Sequence, residues 1–347
     1  MFRKTIAGKP APTGEATRRE RGFAGASLLA MSRLIFIGIC GFAMVGAAGA
    51  ANLSADLHHA WSVPRAAEFS AASIQLAPAI EILCAPTAAE PAMQAARQHW
   101  LNTLFAWERL SGVAFGPVLE RRSQRQIDFT PTRPRLIEKA VKSAPANAAE
   151  MELIGTPAKG LPALEWLLWV KPVQPGSSEC RYAVQVAAEV AREAAALADV
   201  PALAVDSQTA LSELLNQWIG GLERLRWANM EMPARVALTS SGRDAAEFPR
   251  SAAHAHAASW AAQWDALQNL AIGPVSLASA LQERGKDAAR LAESVRLADV
   301  AMQGLDGSDT QRLLDAAKQL AALKRLVENE VAPALGVNIG FSDADGD

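Results

Sequence analysis

The chain has 347 residues, of which 50% are hydrophobic and 20% are charged. This apolar fraction is enough for a sizeable core and excludes disorder over most of the chain. The formal net charge of −2 argues against a nucleic-acid-binding protein, which usually carries a basic face.

The first 50 residues have the pattern of an export signal peptide. Seven basic residues accompany an uncharged apolar run, residues 34–50, which ends in Ala-Gly-Ala. The run is short for a membrane span, and its small residues predict signal cleavage between Ala50 and Ala51. Met31 lies just before the run and is an alternative start. A retained membrane anchor is the alternative to cleavage.

Cleavage of this leader predicts a periplasmic protein with no remaining membrane span. Cys40 lies in the apolar run, but Ile39 before it is not the small residue that a lipoprotein signal places there. A lipid anchor on Cys40 is therefore disfavoured. The leader takes away seven basic and two acidic residues, which leaves 27 basic and 34 acidic residues and a net charge of −7. This acidic balance argues against nucleic acid and other anionic partners.

Cys84 and Cys180 remain after cleavage. An even pair of cysteines in an oxidising compartment predicts a disulfide between them, and two buried free thiols are the alternative. Neither cysteine belongs to a C-x-x-C motif, which argues against redox catalysis.

Helices are predicted almost throughout the mature chain, because strong helix formers dominate and β-branched runs are nearly absent. Apolar residues recur at helical spacing in residues 96–107, 211–225 and 313–331. Further helices are expected near residues 64–83, 162–170, 178–199, 251–270 and 276–301. Irregular segments are expected at residues 112–134, 171–178 and 229–249.

Capping residues and prolines set the expected boundaries of these helices. Ser308 and Gln311 form a predicted capping box before the last helix, and Pro333 stops it. The break at Val200-Pro201 predicts two helical bundles of similar size, residues 51–200 and residues 201–347.

Catalytic and metal-binding motifs of the common classes are missing from the sequence. It has no H-E-x-x-H, no cysteine–histidine cluster, no G-x-S-x-G and no Gly-rich phosphate loop. His254 and His256 lie two apart in a predicted helix and therefore face different sides. Enzyme chemistry has no direct support, and no residue is given a catalytic role.

The most distinctive segment is G-L-P-A-L-E-W-L-L-W at residues 160–169. Pro162 suits a first helical turn, and Glu165 falls in the early helix, where the helix dipole favours a carboxylate. That is a sufficient structural reason for Glu165, and the functional alternative is that it faces a polar pocket. Arg125 and Asp128 are expected either to form a buried ion pair or to line a cleft. Trp100, Trp107, Trp166 and Trp169 are predicted core residues.

Four motifs in order resemble the imelysin-like family, which is classified as M75 peptidases and found as exported, iron-regulated bacterial proteins. They are a Trp-rich helix before Gly116-Pro117, I-D-F-T-P at 127–131, the segment 160–169 and G-F-S-D-A-D-G-D at 340–347. The chain is most similar to the proteobacterial branch of predicted periplasmic proteins. The resemblance implies an all-α fold of two helical bundles with a cleft between them.

The same resemblance implies a metal motif, G-x-H-x-x-E. Gly160 and Glu165 match it, but Pro162 stands where the histidine should be. Proline offers no ligand, and one carboxylate makes a poor transition-metal site, so Glu165 is only a weak candidate ligand. The acidic ending resembles half an EF-hand loop without its closing glutamate, and a solvated tail is the preferred interpretation.

The function implied by the resemblance is that of a periplasmic binding or accessory protein linked to iron uptake. Its cofactor would be iron or another divalent metal, and its partners would be envelope components of iron uptake. The M75 classification implies a metallopeptidase instead, and Pro162 argues against it. A non-catalytic envelope interaction protein with a vestigial cleft is the third hypothesis.

Overall fold

A computed structural model describes residues 53–87, 90–201, 205–239 and 247–339. The predicted export signal with Met31, Cys40, Ala50 and Ala51 lies outside the described residues, and so does the acidic ending. The described residues form helices and turns without a β-strand, which confirms the predicted all-α class.

The amino-terminal half, residues 53–201, contains nine α-helices among the described residues. They are α1 Leu53–Leu57, α2 Val63–Cys84, α3 Glu90–Ser111, α4 Pro117–Glu120, α5 Ser123–Ile127, α6 Pro134–Ser143, α7 Ala148–Glu152, α8 Gly160–Glu165 and α9 Ser178–Ala198. π-Helical turns, His58–Ser62 and Trp166–Val170, continue α1 and α8, and a 3-10 turn covers Thr156–Ala158.

The carboxyl-terminal half, residues 205–339, adds seven helices in its described part. They are α10 Ser207–Glu223, α11 Met232–Thr239, α12 His256–Ile272, α13 Leu277–Glu283, α14 Ala289–Met302, α15 Thr310–Leu326 and α16 Ala332–Ala334. π-Helical turns at Arg224–Glu231 and Val327–Val331 follow α10 and α15.

Two hydrophobic clusters form the core of the described residues, which belong to one compact unit. The first cluster lies where α2 packs against α3 and α9, and the second lies among α10, α12, α14 and α15. Their separation along the chain follows the predicted break near Val200-Pro201, but the two halves also exchange residues. Ala253 and Ala255 belong to the first cluster, and Trp61 and Val113 belong to the second. The division into two domains at this point stays a prediction.

The predicted disulfide is confirmed. Cys84, the last residue of α2, is bonded to Cys180 in the first turn of α9, 96 residues further along the chain. The bond joins two helices that already pack along their length. A disulfide of this kind fits a location outside the cytoplasm.

One helical stretch among the described residues, Leu53–Cys84, is long and apolar enough to cross a membrane by length and composition alone. Core helices pass the same test. This stretch buries Phe69, Leu76 and Ile80 completely, and α2 packs against both α3 and α9.

Two predicted boundaries were wrong in the carboxyl-terminal half. The helix expected from residue 251 begins at His256, because residues 251–255 form turns. The single helix expected at 276–301 is two helices, with a break at Gly285, whose φ of +65° is left-handed. Glycine adopts that conformation readily and so ends α13.

Two further local expectations were also wrong. Residues 229–239 are helical rather than irregular, because Met230 and Ala234 bury their side chains in the second cluster and extend the helix across Pro233. The cap of α15 is Asp309, whose side chain accepts a hydrogen bond from the N–H of Arg312. Ser308 bonds Asp306 instead.

Candidate functional site

Glu165 ends α8 in a buried position, with 5% of its surface exposed. The start of this helix is fixed by Gly160, whose φ is +72° and whose missing Cβ would lie 2.2 Å from the carbonyl oxygen of Ile127. Only glycine combines that dihedral with that close approach. Gly160 therefore brings α8 against the chain just before Asp128.

The loop of residues 247–255, which precedes α12, places the side chain of Arg250 beside Asp128 and Glu165. Arg250 has a left-handed φ of 68°, and its carbonyl oxygen accepts a 3.0 Å hydrogen bond from the N–H of Ala255. Its guanidinium is buried and forms an ion pair with Asp128. The same loop points the N–H of Ala253 at Glu165 Oε1, 3.2 Å away.

Two further carboxylates face the same guanidinium. Arg250 Nη1 lies 3.6 Å from Glu165 Oε2, and Arg250 Nη2 lies 3.9 Å from Glu108 Oε1 on α3. A second cation, Arg224, donates from Nη2 to the carbonyl oxygens of Ser111 and Gly112 at 2.7 and 3.3 Å. We call the five residues Glu108, Asp128, Glu165, Arg224 and Arg250 the charged junction.

Glu108 accepts the last of three successive hydrogen bonds, whose donors are uncharged side chains of the carboxyl-terminal half. Asn229 Nδ2 donates to Gln263 Oε1 at 2.8 Å, and Gln263 Nε2 donates to Ser259 Oγ at 3.1 Å. Ser259 Oγ then donates to Glu108 Oε1 at 2.8 Å. The direct hydrogen-bond partner of this buried carboxylate is therefore a hydroxyl group.

The tryptophans near the junction are core residues, as predicted, and two of them also position it. Trp100 and Trp107 are fully buried, Trp166 is 6% exposed and Trp169 is half-buried against the first cluster. Trp100 Nε1 donates to the carbonyl oxygen of Leu161 at 3.1 Å, and Trp107 Nε1 donates to Asp128 Oδ2 at 3.4 Å. These bonds hold both α8 and Asp128 against α3.

Burial dominates the electrostatics of the charged junction. It raises the pKa of Glu108 to about 7, and neighbouring Asp128 adds to the rise. Burial also raises the pKa of Glu165, against the opposing effect of Arg250. For Arg250 itself burial acts to lower the pKa, but Asp128, Glu108 and Glu165 together raise it above its ordinary value. Arg250 therefore remains a cation, and burial brings the pKa of Glu108 close to neutral pH.

A model of the imelysin family, peptidase family M75, matches residues 62–335 of this sequence. The chain belongs to the imelysin family. No curated protein sequence matches it significantly.

Solved structures show the same fold. An imelysin-like protein from Psychrobacter arcticum 273-4 is 19% identical, with a TM-score of 0.68 over 83% of this chain and 96% of that one. A protein described as a putative iron-regulated protein A precursor, from Parabacteroides distasonis ATCC 8503, is 13% identical, with a TM-score of 0.66 over 82% of this chain and 92% of that one. At these identities the likeness concerns the fold.

In this imelysin, the structure brings most of the candidate residues of the sequence together. Gly160, Pro162 and Glu165 are buried in α8, beside Asp128. Arg125 is exposed, and the cation paired with Asp128 is Arg250.

Sequence reasoning missed Glu108, Arg224 and Arg250. Glu108 offered a signal, because it lies four residues after Leu104 on the buried face of α3. An acid in that position needs a buried partner. Arg250 offered no such signal, since it lies in a loop where apolar residues do not recur at a regular spacing.

The residues around the imelysin motif do not fit a metal ion. Pro162 supplies no ligand, and both oxygens of Glu165 face hydrogen-bond donors, Ala253 N–H and the Arg250 guanidinium. Within the described ranges, no group of three or more His, Cys, Asp and Glu side chains has a metal-binding arrangement. Instead of a metal ion, the guanidinium of Arg250 lies among the three carboxylates of the charged junction.

The two halves also meet at a small pocket of about 60 Å³. It is lined by His58, Phe115, Glu120, Val205 and Glu213, among others, and Glu165 is not part of its lining. Gly116 N–H donates to Glu213 Oε1 at 2.5 Å beside it. The volume suits a few water molecules, since pockets for drug-sized ligands measure roughly 300–1,000 Å³.

Proposed function

We propose that this imelysin is a non-catalytic periplasmic accessory protein of an iron-uptake system, which acts through envelope partners. The observation that supports the proposal best is the state of the imelysin motif. Its glutamate, Glu165, is buried against Arg250 and Ala253, and its histidine is replaced by Pro162. The motif thus joins the two halves of the fold and leaves no open ligand set.

The proposed role in iron uptake and the proposed periplasmic location are supported by different observations. The structural relative from Parabacteroides distasonis is described as a putative iron-regulated protein A precursor, and the resemblance noted in the sequence implies the same regulation. The Cys84–Cys180 disulfide fits an oxidising compartment, and the apolar run at 34–50 has the pattern of an export signal. Export followed by cleavage would place the acidic mature chain in the periplasm.

Metal binding by the purified mature chain, residues 51–347, is the first test. Elemental analysis and calorimetric titration with ferrous, ferric, copper and zinc ions are compared for the wild type and Glu165→Ala. We expect no stoichiometric binding that depends on Glu165. Binding at one ion per chain that is lost in Glu165→Ala would show that a metal site survives without the motif histidine.

Growth of the source bacterium tests the iron link. A deletion strain is expected to grow more slowly under iron limitation and to take up less labelled iron, with no defect in iron-replete medium. Crosslinking in intact cells is expected to capture an envelope component of iron uptake. Unchanged growth, uptake and expression across iron supply, together with no captured partner, would count against the proposal.

A peptidase is the alternative because the family carries the M75 classification. Incubation of the mature chain with a peptide library, followed by mass spectrometry, distinguishes the two functions. Cleavage that is abolished by a chelator and by Glu165→Ala would establish the peptidase. The geometry of Pro162 and Arg250 leads us to expect no such cleavage.

A further inference from the structure

The charges of the junction are divided between the two halves of the chain. Glu108, Asp128 and Glu165 all belong to the amino-terminal half, and Arg224 and Arg250 belong to the carboxyl-terminal half. With every group ionised, the three acids outnumber the two cations by one charge. A buried excess charge is costly, so one carboxyl group gains by holding a proton.

Geometry distinguishes Glu108 from the other two acids. Asp128 forms the close ion pair with Arg250, and Glu165 lies 3.6 Å from that guanidinium and also accepts the N–H of Ala253. Glu108 is the most distant, at 3.9 Å, and its direct bond comes from the neutral hydroxyl of Ser259. Arg224 Nη2 donates to the backbone carbonyl oxygens of Ser111 and Gly112.

We propose that Glu108 holds a proton at and below neutral pH, and that its release at higher pH loosens the contact between the two halves. We call this pH-sensitive contact between the two halves the latch. When Glu108 is protonated, the junction is neutral and closed. When it is ionised, the junction carries one uncompensated negative charge in a buried setting.

The groups that face Glu108 support this direction. Burial and the neighbouring carboxylate of Asp128 disfavour its charged form, whereas Arg250, Arg224 and the Ser259 hydroxyl favour it. Burial is the largest effect, and the resulting pKa of Glu108 is about 7. The titration therefore falls within the pH range that an exported protein meets.

The loop of residues 247–255 is the element that we expect to respond. Arg250 and His254 both have left-handed φ values, 68° and 53°, which non-glycine residues adopt only when their surroundings hold them. Those surroundings include the junction itself, through Asp128 and through the bond from Ala253 N–H to Glu165. The uncompensated charge of ionised Glu108 should make the closed junction less stable and so increase opening of this loop first.

Hydrogen exchange of the folded protein tests the latch. Exchange of the peptide covering residues 248–255 is measured at pH 6 and pH 8.5 and corrected for the intrinsic pH dependence of amide exchange. For the wild type we expect opening to increase by about tenfold at the higher pH. Glu108→Gln, which cannot ionise, should abolish this step. The control Glu330→Gln, which removes an exposed partner of Arg290, should keep it.

In the exchange experiment, two results would overturn the proposal: no pH step in the wild type, or the same step in Glu108→Gln. Carbon-13 labelling of glutamate carboxyl groups in the wild type gives a second readout that needs no variant. We expect one glutamate signal to titrate close to neutral pH. If every glutamate carboxyl titrates below pH 6, the latch does not exist. Neither readout depends on the proposed role in iron uptake.

Discussion

At the scale of single residues, the buried Arg250 faces three carboxylates, and its removal would leave them without their shared cation. We predict that Arg250→Met destabilises the fold by about 3–5 kcal/mol, the usual cost of breaking a buried ion pair from one side. Denaturant unfolding at pH 7 measures the change. Arg235→Met is the control, because the Arg235 side chain is 58% exposed in its pair with Glu231. Its cost should stay below about 1 kcal/mol. Equal costs would contradict the account.

Gly160 and Gly176 form a matched pair for testing the close approach of α8 to Ile127. Both have left-handed φ values, 72° and 75°, but a Cβ on Gly176 would meet nothing within 4 Å. Gly176→Ala should therefore cost only the dihedral strain, about 1 kcal/mol. Gly160→Ala adds a collision with a backbone carbonyl and should cost about 2–4 kcal/mol. Thermal unfolding of both variants checks the difference, and a similar loss in both would show that the contact is not rigid.

The candidate site was predictable only in its amino-terminal part. The segment 160–169 and Asp128 were found because local sequence patterns mark them, and the structure places them side by side. Their cations, Arg224 and Arg250, come from the other half of the fold. No local pattern connects Arg250 with Glu165, so the pairing of Asp128 with Arg250 rather than with Arg125 required the tertiary structure.

At the scale of helices, the sequence correctly predicted the long helices whose apolar residues recur regularly. It failed to predict the short turns. The periodic segments containing Trp100, Trp218 and Leu320 are helices in the structure. At residues 251–255 the alanine-rich sequence has good helix propensity, but tertiary contacts impose turns. At residues 284–288 the break follows the left-handed Gly285. In residues 251–255 those contacts are the ones that deliver Arg250 and Ala253 to the junction.

The cap of α15 provides a test at this scale. Asp309 accepts the N–H of Arg312 at 3.0 Å, whereas the N–H and the hydroxyl of Ser308 donate to Asp306. Asp309→Ala should cost about 1 kcal/mol, because it leaves a helix-end N–H without its acceptor. Ser308→Ala should change stability by less than about 0.5 kcal/mol, as is usual at the surface. Urea unfolding of the two variants decides between the structural cap and the capping box suggested by the sequence.

At the scale of the whole molecule, the disulfide joins positions 96 residues apart within the amino-terminal half. Closing a loop of that length restricts the unfolded chain and stabilises the fold by roughly 4–5 kcal/mol in the chain-entropy model. The double variant Cys84→Ser, Cys180→Ser should lose about that much, measured by denaturant unfolding under oxidising conditions. Adding a reductant to the wild type should give the same loss and should leave the double variant unchanged. A loss under about 1 kcal/mol would mean that the segments of α2 and α9 stay close together in the unfolded chain even without the bond.

The pH dependence of stability gives a prediction for the junction as a whole. The pKa of Glu108 is raised in the folded state to about 7 from an ordinary value of 4.5, so the folded protein binds more protons than the unfolded chain between these values. Stability from this group therefore falls as pH rises from 4.5 to 7 and stays low above 7. Paired, partly buried acids such as Glu179 and Glu223 have lowered pKa values and act in the opposite direction.

Comparison with Glu108→Gln removes those opposing contributions, because both proteins share them. The free energy of unfolding of Glu108→Gln minus that of the wild type should rise between pH 5 and pH 8. The upper limit of the rise is about 3 kcal/mol, the free-energy equivalent of the full pKa shift. Denaturant unfolding at four or five pH values traces the curve. A flat difference would mean that Glu108 is ionised throughout and that Arg224 and Arg250 compensate all three acids of the junction.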